Sequence, residues 1–157
     1  MQCEWTKENK KEIEEILTRY PTKQAALLPV LHVAQKEFGW ISPEVMELVA
    51  QELNLSTAHV YGVVTFYTMY HRQPVGKYHL QVCRTLSCAM MGSQKITDHL
   101  KKKLGIELGQ TSLDKRFTLS EVECLASCGT APAMMINEKY FENLTEEEMD
   151  KILESLQ

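Results

Sequence analysis

Four cysteines fall in two short clusters, Cys83 and Cys88 in VCRTLSCAMMG and Cys124 and Cys128 in VECLASCGTAP. Four residues separate the first two, three separate the second two, and 35 separate the pairs. Thiolates in sets of four are the usual ligands of iron–sulfur clusters and of structural zinc. Zinc sites usually leave two-residue gaps within a pair, and thioredoxin-type thiol chemistry uses C-x-x-C. Neither spacing occurs here, so the spacing leans towards an iron–sulfur cluster. A zinc-stabilised, non-redox interaction module and a thiol–disulfide enzyme stay open on the residues alone. Thr85, Ser87, Gly92, Ser127, Gly129 and Thr130 crowd the same loops. Small residues let backbone N–H groups approach sulfur, and hydroxyls can add hydrogen bonds that stabilise a more negative reduced state. Two ferric ions, two sulfides and four thiolates carry a charge of −2. Reduction adds to that charge, so the expected potential is low, near the −400 mV typical of plant-type centres, roughly.

The rest of the sequence bounds the reading. With 157 residues the chain can bury a real core, and 44% hydrophobic and 24% charged residues suit a globular protein. A net charge of −4 argues against nucleic-acid binding. No apolar run reaches the roughly 20 residues that cross a bilayer. MQCEWTKENKKEIEE lacks the apolar core of a signal peptide, so the expectation is an unexported protein with reduced, metal-binding thiols. Cys3, far from the two clusters, is left out of the site.

Elements that must position the cysteines follow from periodicity. Residues 6–20 predict an amphipathic helix with Ile13, Ile16, Leu17 and Tyr20 on one face. A second helix, over 23–38, ends at Gly39, with Pro29 in its first turns. Ser42-Pro43 starts a third and Ser56 caps a fourth, whose second half, rich in β-branched and aromatic residues, is ambiguous. Pro74 and Gly76 mark a boundary. Beyond it, 78–83 reads as a strand leading into a cysteine loop. A helix spans Ser93 to Leu104, closed by Gly105, and a second strand over 117–124 runs into the second pair. A hairpin turns about Asn137-Glu138, and Thr145 begins the last helix. Both cysteine pairs therefore sit at strand ends. The order after the boundary is β-α-β-β-β-α.

Other features are read as structure. His32, His59, His71, His79 and His99 are scattered. Met90-Met91 and Met134-Met135 pack beside the cysteines, where they also keep water away. Phe66, Tyr67 and Tyr70 pack in a core or at a contact between domains. Lys101 to Lys103 and Glu146 to Glu148 suit the poles of their helices. No catalytic residue is assigned, and no P-loop or G-x-G-x-x-G offers a nucleotide site.

The runs GVVTFYTMYHRQPVGKYHLQVCRTLSC, VECLASCGTAPAMMIN and YFENLT, with LLPVLHVAQKEFGWI and PEVMELVAQEL before them, closely resemble one family. It is the 24-kDa-type (E-type) [2Fe–2S] subunit of respiratory NADH:quinone oxidoreductase, complex I. The likeness runs through nearly the whole chain. It implies an α+β protein: an N-terminal α-helical bundle over 1–73 that binds a partner, then a thioredoxin-like α/β domain over 74–157. That domain would hold one [2Fe–2S] cluster through Cys83, Cys88, Cys124 and Cys128. The implied partner is the flavoprotein subunit that carries FMN and NADH, with other peripheral-arm subunits around it and no insertion into the membrane. The resemblance further implies a cytoplasmic place in the peripheral arm of an inner-membrane complex. There the chain would exchange single electrons with FMN, and its cluster would lie off the main line of centres. Related small subunits serve NAD-linked hydrogenases and formate dehydrogenases. Where many members have Gly-Ala before the last cysteine, this chain has Ala126-Ser127. The Cβ of Ala126 argues against a positive φ there, and the Ser127 hydroxyl is free to bond a sulfur. The Ala131-Pro132 bond is expected to be trans.

Overall fold

The chain divides into two compact units between Pro74 and Val75. A computed structural model describes residues 3–156.

The first unit is helical. Helix α1 (Lys7–Thr18) starts where the Thr6 side chain accepts the Asn9 N–H at 3.1 Å. It buries Ile13 and Ile16. It ends short of the expected residue 20, because Pro21 disfavours a helical residue before it. Tyr20 therefore leaves the apolar face and is exposed. A single 3-10 turn (Gln24–Ala26) precedes α2 (Leu27–Phe38). Pro29 is its third residue, where a missing N–H breaks no helical bond. Gly39, at φ +77°, closes α2 in the left-handed region that favours glycine. Helix α3 (Pro43–Leu53) is capped by Ser42, and α4 (Thr57–Phe66) by Ser56. The β-branched run therefore stays helical. Burial of Val60 and Val64 against the other helices outweighs the modest propensity penalty of valine. Ile13, Leu31, Ile41, Val49 and Leu53 are fully buried in the core of this unit. Of the three aromatics at and after the end of α4, only Tyr70 is core. It is 4% exposed and its hydroxyl donates to the Leu28 carbonyl at 2.8 Å, whereas Phe66 is 76% exposed and Tyr67 half-buried.

The second unit is built on a four-stranded sheet in the order β2-β1-β3-β4. Strand β1 (Tyr78–Cys83) runs parallel to β2 (Phe117–Val122) and antiparallel to β3 (Met134–Ile136), which pairs with β4 (Lys139–Phe141). Two parallel strands need a crossover. Helix α6 (Ser93–Leu104) lies in that crossover, ended by left-handed Gly105 at φ +65°. Helix α7 (Glu146–Ser155), capped by Thr145, packs beside it. Leu80, Leu100, Leu119, Met134 and Met149 form the buried centre of this unit, each worth about 1.5–3 kcal/mol of apolar burial. The hairpin turns at Asn137, whose φ is +54° and whose carboxamide accepts from the His79 N–H at 2.9 Å. Gly76 permits the close start of β1, since a Cβ there would lie 2.9 Å from the Arg116 carbonyl. One element was not expected: a short helix α5 (Leu86–Met90) occupies the first cysteine loop. No helix among the described residues is long and apolar enough to cross a membrane.

Candidate metal centre

The parallel pairing of β1 and β2 brings the two cysteine clusters to one end of the sheet. Cys83 is the last residue of β1 and stands opposite Val122, the last residue of β2. Neighbouring strands lie about 4.8 Å apart, so the turns leaving them start side by side. The N–H of Cys83 donates to the Ala133 carbonyl and that of Arg84 to the Val122 carbonyl, both at 3.0 Å, fixing the first turn to the segments on either side of β1.

Each pair is close. Cys83 and Cys88 are 2% and 3% exposed and belong to one buried cluster. Cys88 lies in α5, so the first pair consists of a strand end and a helical residue rather than two loop residues. Cys124 and Cys128 are exposed, with Sγ atoms 3.9 Å apart. The second turn also folds over the first. Half-buried Leu125 packs against the cluster of Cys83, Cys88, Ala131 and Ala133. Cys88 is near enough to Cys128 to feel its charge. No three His, Cys, Asp or Glu side chains among the described residues converge as ligands of one ion. The four thiols stand instead as two pairs, the division a binuclear centre calls for.

Burial pushes the Cys83 thiol up, but N–H groups of Thr85 and Leu125, with contacts from Cys88 and the Thr85 hydroxyl, outweigh it. The net effect holds Cys83 below the ordinary thiol value. Burial pushes Cys88 up. The Ala133 N–H opposes that, and the neighbouring sulfurs of Cys83 and Cys128 add to it. The two shifts run in opposite directions, Cys83 down and Cys88 up, and belong to the pair rather than to either thiol alone.

Several expectations about the surrounding residues are corrected. Ala126 adopts φ +62° despite its Cβ. The reason lies in its N–H, which must turn back to reach the Cys124 sulfur at 3.3 Å. No hydrogen bond joins the Ser127 hydroxyl to a sulfur; the Thr130 hydroxyl donates to the carboxylate of Glu142 at 2.7 Å, and Ser127 helps hold that carboxyl below the usual glutamate range. That carboxylate, sitting just after β4, pulls the Cys128 turn towards the hairpin. The Ala131-Pro132 bond is cis. Met90 and Met91 point outward, 79% and 63% exposed with Leu86 beside them, and do not pack over the thiols. Two residues that spacing could not single out are Arg84 and Glu123, an ion pair across the two turns. Their signal is only adjacency to Cys83 and Cys124.

These residues suit an iron–sulfur cluster. Thiols come in two pairs, backbone N–H groups aim at sulfur, and one hydroxyl, Thr85 Oγ1, is buried with no nitrogen or oxygen partner.

Comparison with known proteins agrees. The family model for thioredoxin-like [2Fe-2S] ferredoxins matches residues 13–157. An E-type NADH-quinone oxidoreductase subunit of Rhizobium meliloti is 44% identical over 146 residues, 93% of this chain and 87% of that protein. The E-type subunit of the Rickettsia conorii NADH-quinone oxidoreductase is 45% identical over 154 residues, 96% of this chain and 92% of that protein. Among solved structures, an NAD+-reducing [NiFe]-hydrogenase in its air-oxidized state superposes with a TM-score of 0.74 at 21% identity. It covers 83% of this chain and 22% of that one, a likeness of fold.

Proposed function

The chain belongs to the thioredoxin-like [2Fe–2S] ferredoxin family, and on that footing we propose that it is the electron-transfer subunit of an NADH-quinone oxidoreductase. Cys83, Cys88, Cys124 and Cys128 are the ligands of its single cluster. The observation that carries the assignment is the meeting of the two turns: Cys83 stands opposite Val122 at the ends of parallel strands, and Leu125, between Cys124 and Cys128, packs against the cluster that holds Cys83 and Cys88.

When bound, the cluster supplies a one-electron relay. The chain's own residues divide the rest. Cys83 and Cys88 hold their side dry, under Leu125, Ala131 and Ala133. Cys124 and Cys128 face outward and form the side nearest any redox partner. N–H groups of Thr85, Leu125, Ala126 and Ala133 solvate the sulfurs in place of water. NADH oxidation itself falls to the flavoprotein subunit, which carries FMN and NADH, and the N-terminal helical unit clasps that subunit. The pair sits in the peripheral arm on the cytoplasmic side, held to the membrane by other subunits. A place in an NAD-linked hydrogenase or formate dehydrogenase is less well supported. The hydrogenase likeness is at 21% identity, against 44% and 45% for the two oxidoreductase subunits.

The test is co-expression with the flavoprotein, followed by iron and sulfide analysis and EPR after strong reduction. About two irons and two sulfides per chain are expected, with one binuclear signal. A colourless protein with one zinc, or metal-free disulfide reductase activity, defeats the reading. Deleting residues 1–73 leaves the signal and abolishes association. Tight association without them defeats the role given to the helical unit.

A further inference from the structure

We infer that the Thr85 hydroxyl is a hydrogen-bond donor that tunes the Cys83 sulfur, and through it the reduction potential of the centre. The inference rests on the ligand assignment proposed above.

Thr85 stands at the N-cap of α5 with extended backbone, φ −77° and ψ 163°. A threonine there ordinarily turns its oxygen to accept an N–H two or three residues on. Thr6, Ser42, Ser56 and Thr145 all do so in this chain. Thr85 makes no such bond. Its Oγ1 is shut off from solvent and has no hydrogen-bond partner. Cys83 lies two residues before it, and both the hydroxyl and the N–H of Thr85 are among the groups that hold the Cys83 thiol down. No acceptor in hydrogen-bond geometry takes the hydroxyl proton.

A buried donor without an acceptor costs free energy. This residue forgoes its cap bond as well. Both losses are offset when the sulfur is an anion, because a thiolate is a stronger acceptor than a thiol and has no proton of its own to place. Metal binding requires the thiolate form. Reduction then adds negative charge to the centre and to its sulfurs, so a donor at Cys83 stabilises the reduced state more than the oxidised one. The other loop hydroxyls of this kind, Ser127 and Thr130, are taken by Glu142.

The experiment compares full-length wild type with Thr85→Val, Thr85→Ser and Thr85→Ala, each assembled with the flavoprotein and titrated by EPR against ambient potential. At the wild-type midpoint, the hydroxyl-free variants hold a lower reduced fraction, by about threefold to tenfold in the reduced-to-oxidised ratio. Tenfold corresponds to about 59 mV for one electron. Thr85→Ser restores the wild-type midpoint. Alanine serves the comparison if valine hinders loading. The inference is overturned if a loaded hydroxyl-free variant keeps the wild-type midpoint, or if serine shifts as far as valine. It is also overturned if both hydroxyl-free variants fail to load while serine loads, since the hydroxyl then acts in assembly. A wild-type chain without iron and sulfide refutes the ligand assignment instead, and so separates the two failures.

Discussion

Arg84 and Glu123 join the two cysteine turns at their bases. The guanidinium donates to Oε1 of Glu123 from Nε at 3.1 Å and from Nη2 at 2.5 Å. One residue follows Cys83 and the other precedes Cys124, so the pair spans the gap between β1 and β2 where the two cysteine turns leave the sheet. Both side chains are largely exposed, at 59% and 74%, and solvent screens the pair. It therefore adds little to stability. Its charges nonetheless lie beside an anionic centre, where each acts on the potential with its own sign.

Two single substitutions separate those effects. Arg84→Gln removes a positive charge and lowers the midpoint potential. Glu123→Gln removes a negative charge and raises it. Both shifts shrink as ionic strength rises from about 0.01 M to 1 M, because the screening length falls from about 30 Å to about 3 Å. Thermal midpoints stay close to wild type. Redox titrations at the two salt concentrations check this, and shifts of the same sign in the two variants rule out a charge effect.

Ala126 carries the strain of the second turn. A left-handed backbone costs an L-residue about 1–2 kcal/mol, and glycine escapes most of that. Ala126 is held at φ +62° by the need to present its N–H to Cys124. Ala126→Gly is expected to stabilise the folded chain by about 1 kcal/mol, less whatever freedom glycine restores to the unfolded state. Urea titration of the metal-free chain measures it. A decrease of more than about 1 kcal/mol would mean that the methyl group packs against something worth more than the strain.

What the sequence disclosed divides along the range of the interactions. Helix α6 was legible to its ends, because Ser93, the spacing of Ile96 and Leu100, and Gly105 are all local signals. The Ser42, Ser56 and Thr145 caps and the Asn137 turn were legible for the same reason. Helix α5 was not, since five residues show no period. Nor was the conformation of Ala126, where a contact to sulfur overrides the preference of its Cβ. The four cysteines could be chosen by type and spacing. That β1 and β2 are parallel neighbours, bringing Cys83 opposite Val122, is a fact of register that no single stretch contains. The partners of Ser127 and Thr130 were hidden likewise, because Glu142 reaches them from beyond the hairpin.

That carboxylate gives the centre a pH dependence. Hydroxyls of Thr130 and Ser127 bond its ionised form and hold Glu142 below the usual glutamate range. A carboxylate depressed in the folded state contributes stability in full above its unfolded value of about 4.3, and loses it as pH falls through the folded value. Acidification through that window should free the Cys128 turn and speed loss of the cluster. Glu142→Gln keeps the shape but not the charge. It should bleach faster than wild type at neutral pH by a few-fold, and gain less on acidification. Absorbance decay against pH decides the matter; parallel curves for the two proteins would leave Glu142 no part in holding the turn.

The unequal burial of the two cysteine pairs predicts unequal consequences of losing them. Cys124 and Cys128 are exposed, so a serine there can share its site with water and keep an altered centre, oxygen being a harder ligand than sulfur. Cys83 and Cys88 are 2% and 3% exposed, and no water reaches them to replace a lost thiolate. A serine at either position also buries a hydroxyl among Leu125, Ala131 and Ala133. Cys124→Ser and Cys128→Ser should therefore retain iron with a changed EPR spectrum, whereas Cys83→Ser and Cys88→Ser should purify with little or none. Iron content and EPR of the four variants test the ranking. An unchanged spectrum in both exposed-site variants would mean that those two thiols are not ligands, and the proposed centre would lose half its coordination.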